Sequence, residues 1–406
     1  MNLLFAWRYF RAKKSTNAIN IIAWVSMSAI VVGAAALILV LSVFNGFEDL
    51  VKSLYTSFYP DMKVSPVSGK TLTLTPQQLQ QLTSIKGMKA YSLVVEDKAI
   101  LENDSTTYPV YLKGVDNNFL KVSGVGAHVE RGNFDLGTGD HPMAILGSGV
   151  EYAIRVEAER SLLSLGVYLF RKGSDYSADP ASSISHETMG TSGVFRIQQD
   201  FDNSYVITNM AFVKRMLNLQ PDEYSYIELA IPDATQTESV RQQLARLLGK
   251  DYRIQTRYEQ NQNLYSVMGA EKWFIYVALT LILIVAAFNM VGALTMLVWE
   301  KQKDINVLKA LGARNGLVQK IFLSEGMLLG VMGGLSGMLI ALIICFLQIK
   351  YKLIPLQGDS FLIDYYPVKL VASDFVMVFL TILVVALLAS WLPSRKAAAQ
   401  PIELKS

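Results

Sequence analysis

Residues 273–314 read WFIYVALTLILIVAAFNMVGALTMLVWEKQKDINVLKALGAR, and this stretch decides the fold. Its first 27 residues carry no charge, and as a helix at ~1.5 Å per residue they are long enough to cross a bilayer. A charged run follows at once. Ile305, Leu308 and Leu311 then recur at helical spacing before Gly312, which suits a helix C-terminus. The pattern predicts a membrane span that leads directly into a short amphipathic helix, which we interpret as the segment that receives force from a partner.

Composition supports a membrane protein. Hydrophobic residues make up 51% of the 406-residue chain and charged residues only 17%, a balance too apolar for an ordinary soluble domain. Three more segments pass the length test for a span, with one charge, Glu325, inside the third of the four. We therefore predict four transmembrane α-helices, at residues 19–44, 273–299, 321–349 and 374–392.

Basic residues indicate how these spans are oriented. In the short segments beside the spans, residues 1–18 hold four basic residues, 300–320 hold five and 393–406 hold three, and four spans place these segments on one side of the membrane. The positive-inside rule makes that side the cytoplasm. The loop 350–373 holds three lysines, so the contrast is weaker there. We expect residues 1–18 to form an amphipathic segment on the inner membrane face and 19–44 to be a retained anchor. The prediction is a multi-pass protein of the inner membrane with both termini in the cytoplasm.

The long insertion between the first two spans, residues 45–271, is predicted to be a periplasmic α+β domain. Apolar spacing extends the helices of the spans into stalks at 45–59 and 259–272. Strand and helix signals lie near both ends of the domain, and the part between them is richer in strand signals. We expect one subdomain from the outer pieces 60–105 and 220–258, and a second, β-rich subdomain at 106–219. A short loop at 350–373 should face the same side.

Polar and small residues inside the predicted spans can each be explained in two ways. Glycines repeat every three or four residues in the third span, which allows close helix approach within one subunit or between two. Asn289 and Glu325 are polar groups at membrane depth, and such groups face protein or water rather than lipid. The glycines are Gly326, Gly330, Gly333, Gly334 and Gly337.

Covalent chemistry has no visible basis in this sequence. Gly69-Lys70-Thr71 resembles the end of a phosphate-binding loop, but Val64 stands where that loop needs a glycine. The three histidines have no metal-ligand spacing, and the single cysteine, Cys345, lies in a predicted span. We predict no catalytic residues, no metal site and no cofactor bound by this chain. The net charge of +3 is explained by topology, so nucleic-acid binding has little support.

Four motifs resemble one family, the LolC/LolE permease subunits of the lipoprotein-releasing ABC transporter, within the MacB/FtsX-like superfamily. They are LSVFNGFE at 41–48, EKQKDINVLKALG at 300–312, FLIDYYPVK at 361–369 and PSRKAAAQPIE at 393–403. The second and fourth are shared with MacB-like and FtsX-like proteins. The resemblance spans nearly the whole chain.

The resemblance implies a mechanotransmission mechanism with several partners. Two permeases, identical copies or paralogues, would pair with a dimer of a separate cytoplasmic ABC ATPase, which binds ATP and magnesium. Lipoproteins would leave the outer leaflet of the inner membrane, in contact with membrane lipids, and pass to a periplasmic carrier like LolA. The implied ATPase-coupling residues are Glu300, Lys301, Asp304, Ile305, Val307, Leu308, Lys309, Leu311 and Gly312.

Two further sites are expected on the periplasmic side. Val43, Asn45, Gly46 and Phe47 lie where the first span leaves the bilayer, at the depth of a lipoprotein's acyl chains, although Asn45 and Gly46 also suit an ordinary bend. The polar segment 173–189 aligns in position with the hook by which one family paralogue binds the carrier. Its apolar residues, the carrier-binding candidates, are Tyr176, Ile184 and Met189.

Other functions fit the sequence less well than lipoprotein release. A MacB-like exporter subunit normally carries its ATPase fused at the N-terminus, and only 18 residues precede the first span here. An FtsX-like regulator of cell-wall hydrolases usually has a much smaller external domain. A sensor or adhesion protein would leave the segment 300–312 unexplained.

Overall fold

The computed structural model describes residues 17–159, 164–172, 183–356, 363 and 365–400. They form two compact units, each with its own buried core. The helical unit contains the described parts of Met1–Leu50, Ser266–Gln357 and Ile363–Ser406, and the β-rich unit contains those of Val51–Tyr265. Most of the predicted N-terminal amphipathic segment and the end of the C-terminal tail lie outside the described residues.

The helices begin and end as follows, in chain order: α1 Asn17–Phe58, α2 Pro76–Thr83, α3 Phe119–Val122, α4 Ser148–Ile154, α5 Gln199–Asp202, α6 Met210–Leu217, α7 Thr237–Leu248, α8 Arg257–Gln260, α9 Gln262–Glu300, α10 Gln302–Ala310, α11 Asn315–Tyr351 and α12 Ala372–Ala399. Four of them, α1, α9, α11 and α12, are long and apolar enough to cross a membrane. The prediction of a four-span membrane protein with a large insertion between its first two spans is confirmed.

Glycines of α11 allow close packing inside the helical unit. A Cβ at Gly330 would lie 2.4 Å from Cβ of Ala386 in α12, and one at Gly337 would lie 2.3 Å from the carbonyl oxygen of Val31 in α1. Both contacts are too short for any larger residue. Of the two readings of this glycine pattern, packing within one chain is therefore the one observed at these positions.

The strands of the β-rich unit begin and end as follows: β1 Met62–Pro66, β2 Leu72–Thr73, β3 Ala90–Asn103, β4 Thr106–Val115, β5 Val129–Gly132, β6 Met143–Gly147, β7 Leu165–Phe170, β8 Ile184–Phe195, β9 Tyr205–Asn209, β10 Glu223–Tyr224, β11 Tyr226–Ala230 and β12 Tyr252–Thr256. Ten of them join one mixed sheet in the order β12-β1-β11-β3-β4-β9-β6-β8-β5, and β7 pairs with β3 and β8. Strands β2 and β10 form a separate pair.

The expected division of this domain into two subdomains is not observed. Strands of the outer pieces, such as β3 and β11, and strands of the middle piece, such as β4 and β9, hydrogen-bond within the same sheet. One buried core contains side chains from both parts. The reason is β3, whose 14 residues pair with β4, β7 and β11 and so link the two regions.

Local sequence signals set the ends of several helices. Thr75 caps α2 through a capping box with Gln78, and Pro76 occupies the first turn. Gly249 ends α7 with a φ of +84°, a conformation that costs glycine little. Helix α1 runs to Phe58, shortly before Pro60, as its apolar spacing indicated.

Candidate functional site

The short helix α10 has one face directed into the helical unit. Ile305 is only 1% exposed and belongs to the same buried core as Ala397 of α12. One helical turn later, the Lys309 ammonium donates to the carbonyl oxygens of Ala398 at 2.9 Å and Gln400 at 2.5 Å. Residues four apart lie on the same side of a helix, so this face of α10 is directed into the core, and Lys309 attaches it to the end of α12.

The opposite face of α10 is exposed. Val307 is 59% exposed and Leu311 is 81% exposed, beside the exposed side chains of Lys303 and Asp304. Asp304 also pairs with Lys301 at 3.2 Å. Gly312, at a φ of +91°, ends the segment. This face combines two apolar side chains with flanking charges at the end of a span.

These positions correct one expectation from the sequence. Ile305, Leu308 and Leu311 were expected to form one apolar stripe, but Ile305 is buried, Leu308 is half-buried and Leu311 is exposed. Leu311 is the C-terminal cap of the helix, and its N–H donates to the Val307 carbonyl at 3.0 Å, so it completes the last turn on the side of Val307. The predicted coupling residues therefore fall into an inward set and an outward set.

A buried polar triad joins three spans at the other end of the helical unit. The Asn45 side chain donates from Nδ2 to Oδ2 of Asp374 at 2.6 Å and accepts from Lys272 Nζ at 2.8 Å. Lys272 also lies 3.4 Å from Oδ1 of Asp374. Asn45 and Asp374 are nearly inaccessible to solvent, and buried polar groups need such partners. The triad connects α1, α9 and α12.

The neighbouring Gly46 and Phe47 pack against the loop before α12. A Cβ at Gly46 would lie 2.3 Å from the carbonyl oxygen of Pro367. Phe47 makes an edge-to-face contact with Tyr366, their ring centroids 5.9 Å apart. The Lys369 N–H donates to the Ser42 carbonyl at 2.9 Å, and its ammonium pairs with Asp49. The described parts of two family motifs, 41–48 and 361–369, thus form one packing joint.

This joint changes the reading of the expected lipoprotein path. Asn45 and Gly46 are buried and committed to protein contacts, so their side of the helix does not face an open path. Val43 and Phe47 are half-buried and keep some accessible surface. Lys272 and Asp374, which complete the triad, were not singled out by sequence reasoning. The only sequence signal for these two residues was that each is a charged residue at the end of a span. Charged residues are common at span ends, so this signal does not identify a triad.

The expected carrier-binding loop is shorter than its sequence suggested. Tyr176 lies outside the described residues. Ile184 begins β8, and Met189 lies within it, only 1% exposed in the core. Met189 therefore cannot contact a carrier from this position. The run was mistaken for a loop because Ser, Gly, His and Glu interrupt the β-branched residues of the strand, and they are weak strand signals.

Sequence reasoning also missed a buried ion pair in the β-rich unit. The Lys113 ammonium of β4 lies 2.7 Å from Oε1 of Glu228 in β11, and both side chains are almost fully buried. The ammonium lies 4.9 Å from the ring centroid of Phe58 and 5.0 Å from that of Phe119. The two residues are 115 positions apart, so only the sheet order brings them together.

A tyrosine and a second lysine border this pair. The Lys63 ammonium lies 3.6 Å from the ring centroid of Tyr226, whose hydroxyl donates to Glu96 at 2.5 Å. Burial lowers the pKa of Lys63, and burial, with help from the charges of Glu96 and Glu228, raises the pKa of Tyr226 well above its usual value. This part of the sheet is therefore a buried polar network covered by aromatic rings.

The last turn of α1 is fixed to the same region. Phe58 stacks on Phe201 with ring centroids 4.2 Å apart. The Ser57 carbonyl accepts from the Gly124 N–H at 2.9 Å, and the Ser57 hydroxyl lies 2.9 Å from Nε2 of His128. These contacts lie within the β-rich unit and hold the end of α1 on its sheet.

Two family models match the chain. Residues 23–247 match the MacB-like periplasmic core domain, and residues 276–402 match the FtsX-like permease C-terminal region. The first of these models covers more than half of the 406 residues.

Relatives match over almost the full length. The chain is 28% identical to the lipoprotein-releasing system transmembrane protein LolE of Haemophilus influenzae, over 99% of this chain and 98% of that protein. It is 27% identical to LolC of Neisseria meningitidis, over 98% of each. It is also 22% identical to the pyoverdine export ATP-binding/permease protein PvdT of Pseudomonas aeruginosa, over 97% of this chain and 56% of PvdT. The chain therefore belongs to the family that carries the MacB-like periplasmic core domain, and its full-length similarity to LolE and LolC confirms the resemblance to those permeases.

Proposed function

We propose that this chain is the permease subunit of an ATP-driven transporter that extracts lipoproteins from the outer leaflet of the inner membrane and passes them to a periplasmic carrier. The observation that carries the proposal is the similarity to LolE and LolC over nearly the whole length of both chains. In this proposal the basic residues at 300–320 face the cytoplasm, where a separate ATPase binds ATP and magnesium.

The exposed face of α10 supports the assignment of an ATPase partner. Val307 and Leu311 are four residues apart and exposed at the end of a span, with Lys303 and Asp304 beside them. Apolar anchors at this spacing suit a helix that lies in a groove of another protein. We assign the docking role to this outward set and not to Ile305.

The proposed substrate path uses the accessible residues near the other end of α1. Val43 and Phe47 retain exposed surface, so acyl chains would contact these side chains while Asn45 and Gly46 maintain the joint. For the carrier, Tyr176 and the edge of β8 at Ile184, which is 36% exposed, remain the proposed contacts.

The anchored end of α1 supports a mechanical role. Helix α1 contributes residues to both units, and its last turn is bonded to the sheet through Ser57 and Phe58. A displacement of this last turn would therefore reach the sheet of the β-rich unit. The buried Lys113–Glu228 ion pair lies next to the Phe58 ring at this attachment.

The first experiment is purification of the tagged chain from membranes in mild detergent, with identification of what accompanies it. We expect an ABC ATPase and acylated lipoproteins. The double variant Val307→Asp with Leu311→Asp should lose the ATPase. Gly316→Asp is the matched control, because it adds a charge nearby at an exposed position with open space around it. Retention of the ATPase by the double variant would refute docking through this face.

A second function, export of a small molecule, is favoured by one observation. The match to PvdT, a pyoverdine export ATP-binding/permease protein, covers 97% of this chain and 56% of PvdT. The same purification separates the two functions. A complex that retains lipoproteins supports release, whereas a complex whose ATP turnover responds only to a small secreted molecule supports export.

A further inference from the structure

Helix α12 ends where a lysine from another helix meets it. The helix stops at Ala399, and Gln400 adopts an extended conformation with φ −61° and ψ 132°. Residue 401 is a proline, which disfavours helical geometry in the residue before it. The last carbonyl groups of a helix have no partner within that helix and carry its negative dipole end. Lys309 donates to the carbonyls of Ala398 and Gln400 at this end.

The contact is suited to transmit movement. A charge-assisted hydrogen bond is stronger than a neutral one, and here one ammonium makes two such bonds to backbone atoms, which cannot rotate away as side chains can. Ile305, one turn earlier, adds a buried apolar contact on the same face. Lys309 thus holds α10 to the end of α12, while the docking residues Val307 and Leu311 are exposed.

We infer that Lys309 is a positioning residue that makes the end of α12 follow α10, so that force received on the outer face of α10 enters the bundle through the fourth span. The inference rests on the proposed function. It removes Lys309 from the docking surface and gives it a role inside the permease.

The inference has a structural test that needs no substrate. In the full ATPase complex, with Cys345 replaced by serine, spin labels are attached at Ala310→Cys on α10 and Arg395→Cys on α12. We expect one narrow distance with and without nucleotide. Lys309→Met should broaden that distance, and Lys309→Arg, which can still donate to both carbonyls, should keep it narrow. An unchanged distance in Lys309→Met would overturn the inference.

A functional test separates charge from volume. Lys309→Met should keep the ATPase in the complex but reduce lipoprotein-stimulated ATP turnover about fivefold or more, within the usual range of coupling between sites. Lys309→Cys should behave alike and recover after reaction with aminoethyl methanethiosulfonate, which restores an ammonium. The neutral ethyl reagent should not restore turnover. Equal rescue by both reagents, or loss of the ATPase from Lys309→Met, would overturn the inference.

The two tests keep this inference distinct from the proposed function. If the wild-type complex shows no response to lipoproteins but Lys309→Met alone broadens the distance, the proposed function fails and the positioning role remains. If the wild-type complex responds and the distance is unaffected by Lys309→Met, the proposed function remains and the positioning role fails.

Discussion

Burying a charged lysine in the middle of a sheet is energetically unfavourable, and at Lys113 the fold offsets this cost with an ion pair and aromatic contacts. Its ammonium is paired with Glu228 and lies near aromatic rings, whose faces attract cations. The second carboxylate oxygen of Glu228 is buried without a hydrogen-bond partner among the described residues. The hydrogen-bonding capacity of Glu228 is thus only partly used. Removing one charged partner should therefore destabilise the protein more than removing both charges.

We expect Lys113→Met to destabilise the protein by ~3–5 kcal/mol, because Glu228 would remain as a buried charge without its cation. Adding Glu228→Gln should recover most of that loss. The measurement is the midpoint of thermal unfolding of the full chain in detergent, with the exposed Lys98→Met as control. Equal midpoints for wild type and Lys113→Met would contradict the account of a buried pair.

Asp202 gives a prediction for pH dependence. Burial raises its pKa from 3.8 to about 6, although its carboxylate accepts the Ile197 N–H at 2.8 Å. The folded protein holds this proton more tightly than the unfolded chain does. Its contribution to stability is therefore full below the unfolded pKa and is lost as the pH rises through about 6.

The variant Asp202→Asn isolates this contribution, because it keeps an acceptor for Ile197 but does not titrate. Between about pH 5 and about pH 7.5, the unfolding midpoint of the wild type should fall more than that of the variant. Parallel midpoints over this range would show that Asp202 has an ordinary pKa in the folded protein.

At the scale of elements, the joint between α1 and the loop before α12 explains a sequence motif. Asn45 is needed because it both donates and accepts within the triad. Gly46 is needed because the Pro367 carbonyl leaves no space for a Cβ. Phe47 fills the edge of the same joint against Tyr366. The motif is thus explained by packing between spans, whichever molecule passes nearby.

Two glycine variants test this explanation. Gly46→Ala should destabilise the protein by ~1–3 kcal/mol, since an overpacked site must shift its neighbours. Gly292→Ala, in the interior of α9 with open space around it, should be neutral or stabilising by up to ~1 kcal/mol, because alanine favours helix. Thermal unfolding in detergent compares the two. A Gly46→Ala protein as stable as the wild type would mean that the joint is loose.

At the scale of the whole molecule, sequence reasoning succeeded where the signal is local. Span length depends on neighbouring residues only, and the four spans were predicted from it. The helix start at Thr75 and the helix end at Gly249 are likewise set by neighbouring residues. Strand β11 carries Ile227 and Leu229 at alternate positions, yet all five of its residues are buried. Alternation is therefore a local signal for a strand but does not show that both faces of the strand are covered.

The misses depend on contacts between distant residues. The single sheet could not be foreseen because the pairing of β3 with β7 and β11 crosses long stretches of chain. The triad joins residues 329 positions apart, and the two bonds of Lys309 depend on where α12 ends. In strands such as β8, which reads ISHETMGTSGVF, Ser, His, Glu and Gly separate the β-branched and aromatic residues, so no clear strand pattern is visible in the sequence alone.

The most direct measurement of the central claim is lipoprotein transfer from proteoliposomes. The complex of this chain with its copurifying ATPase is reconstituted with an acylated lipoprotein, and a soluble periplasmic carrier is added outside. The account predicts that lipoprotein appears on the carrier only with ATP, and that Val307→Asp with Leu311→Asp abolishes the transfer while Gly316→Asp does not. ATP turnover by a wild-type complex that leaves all lipoprotein in the membrane would contradict it.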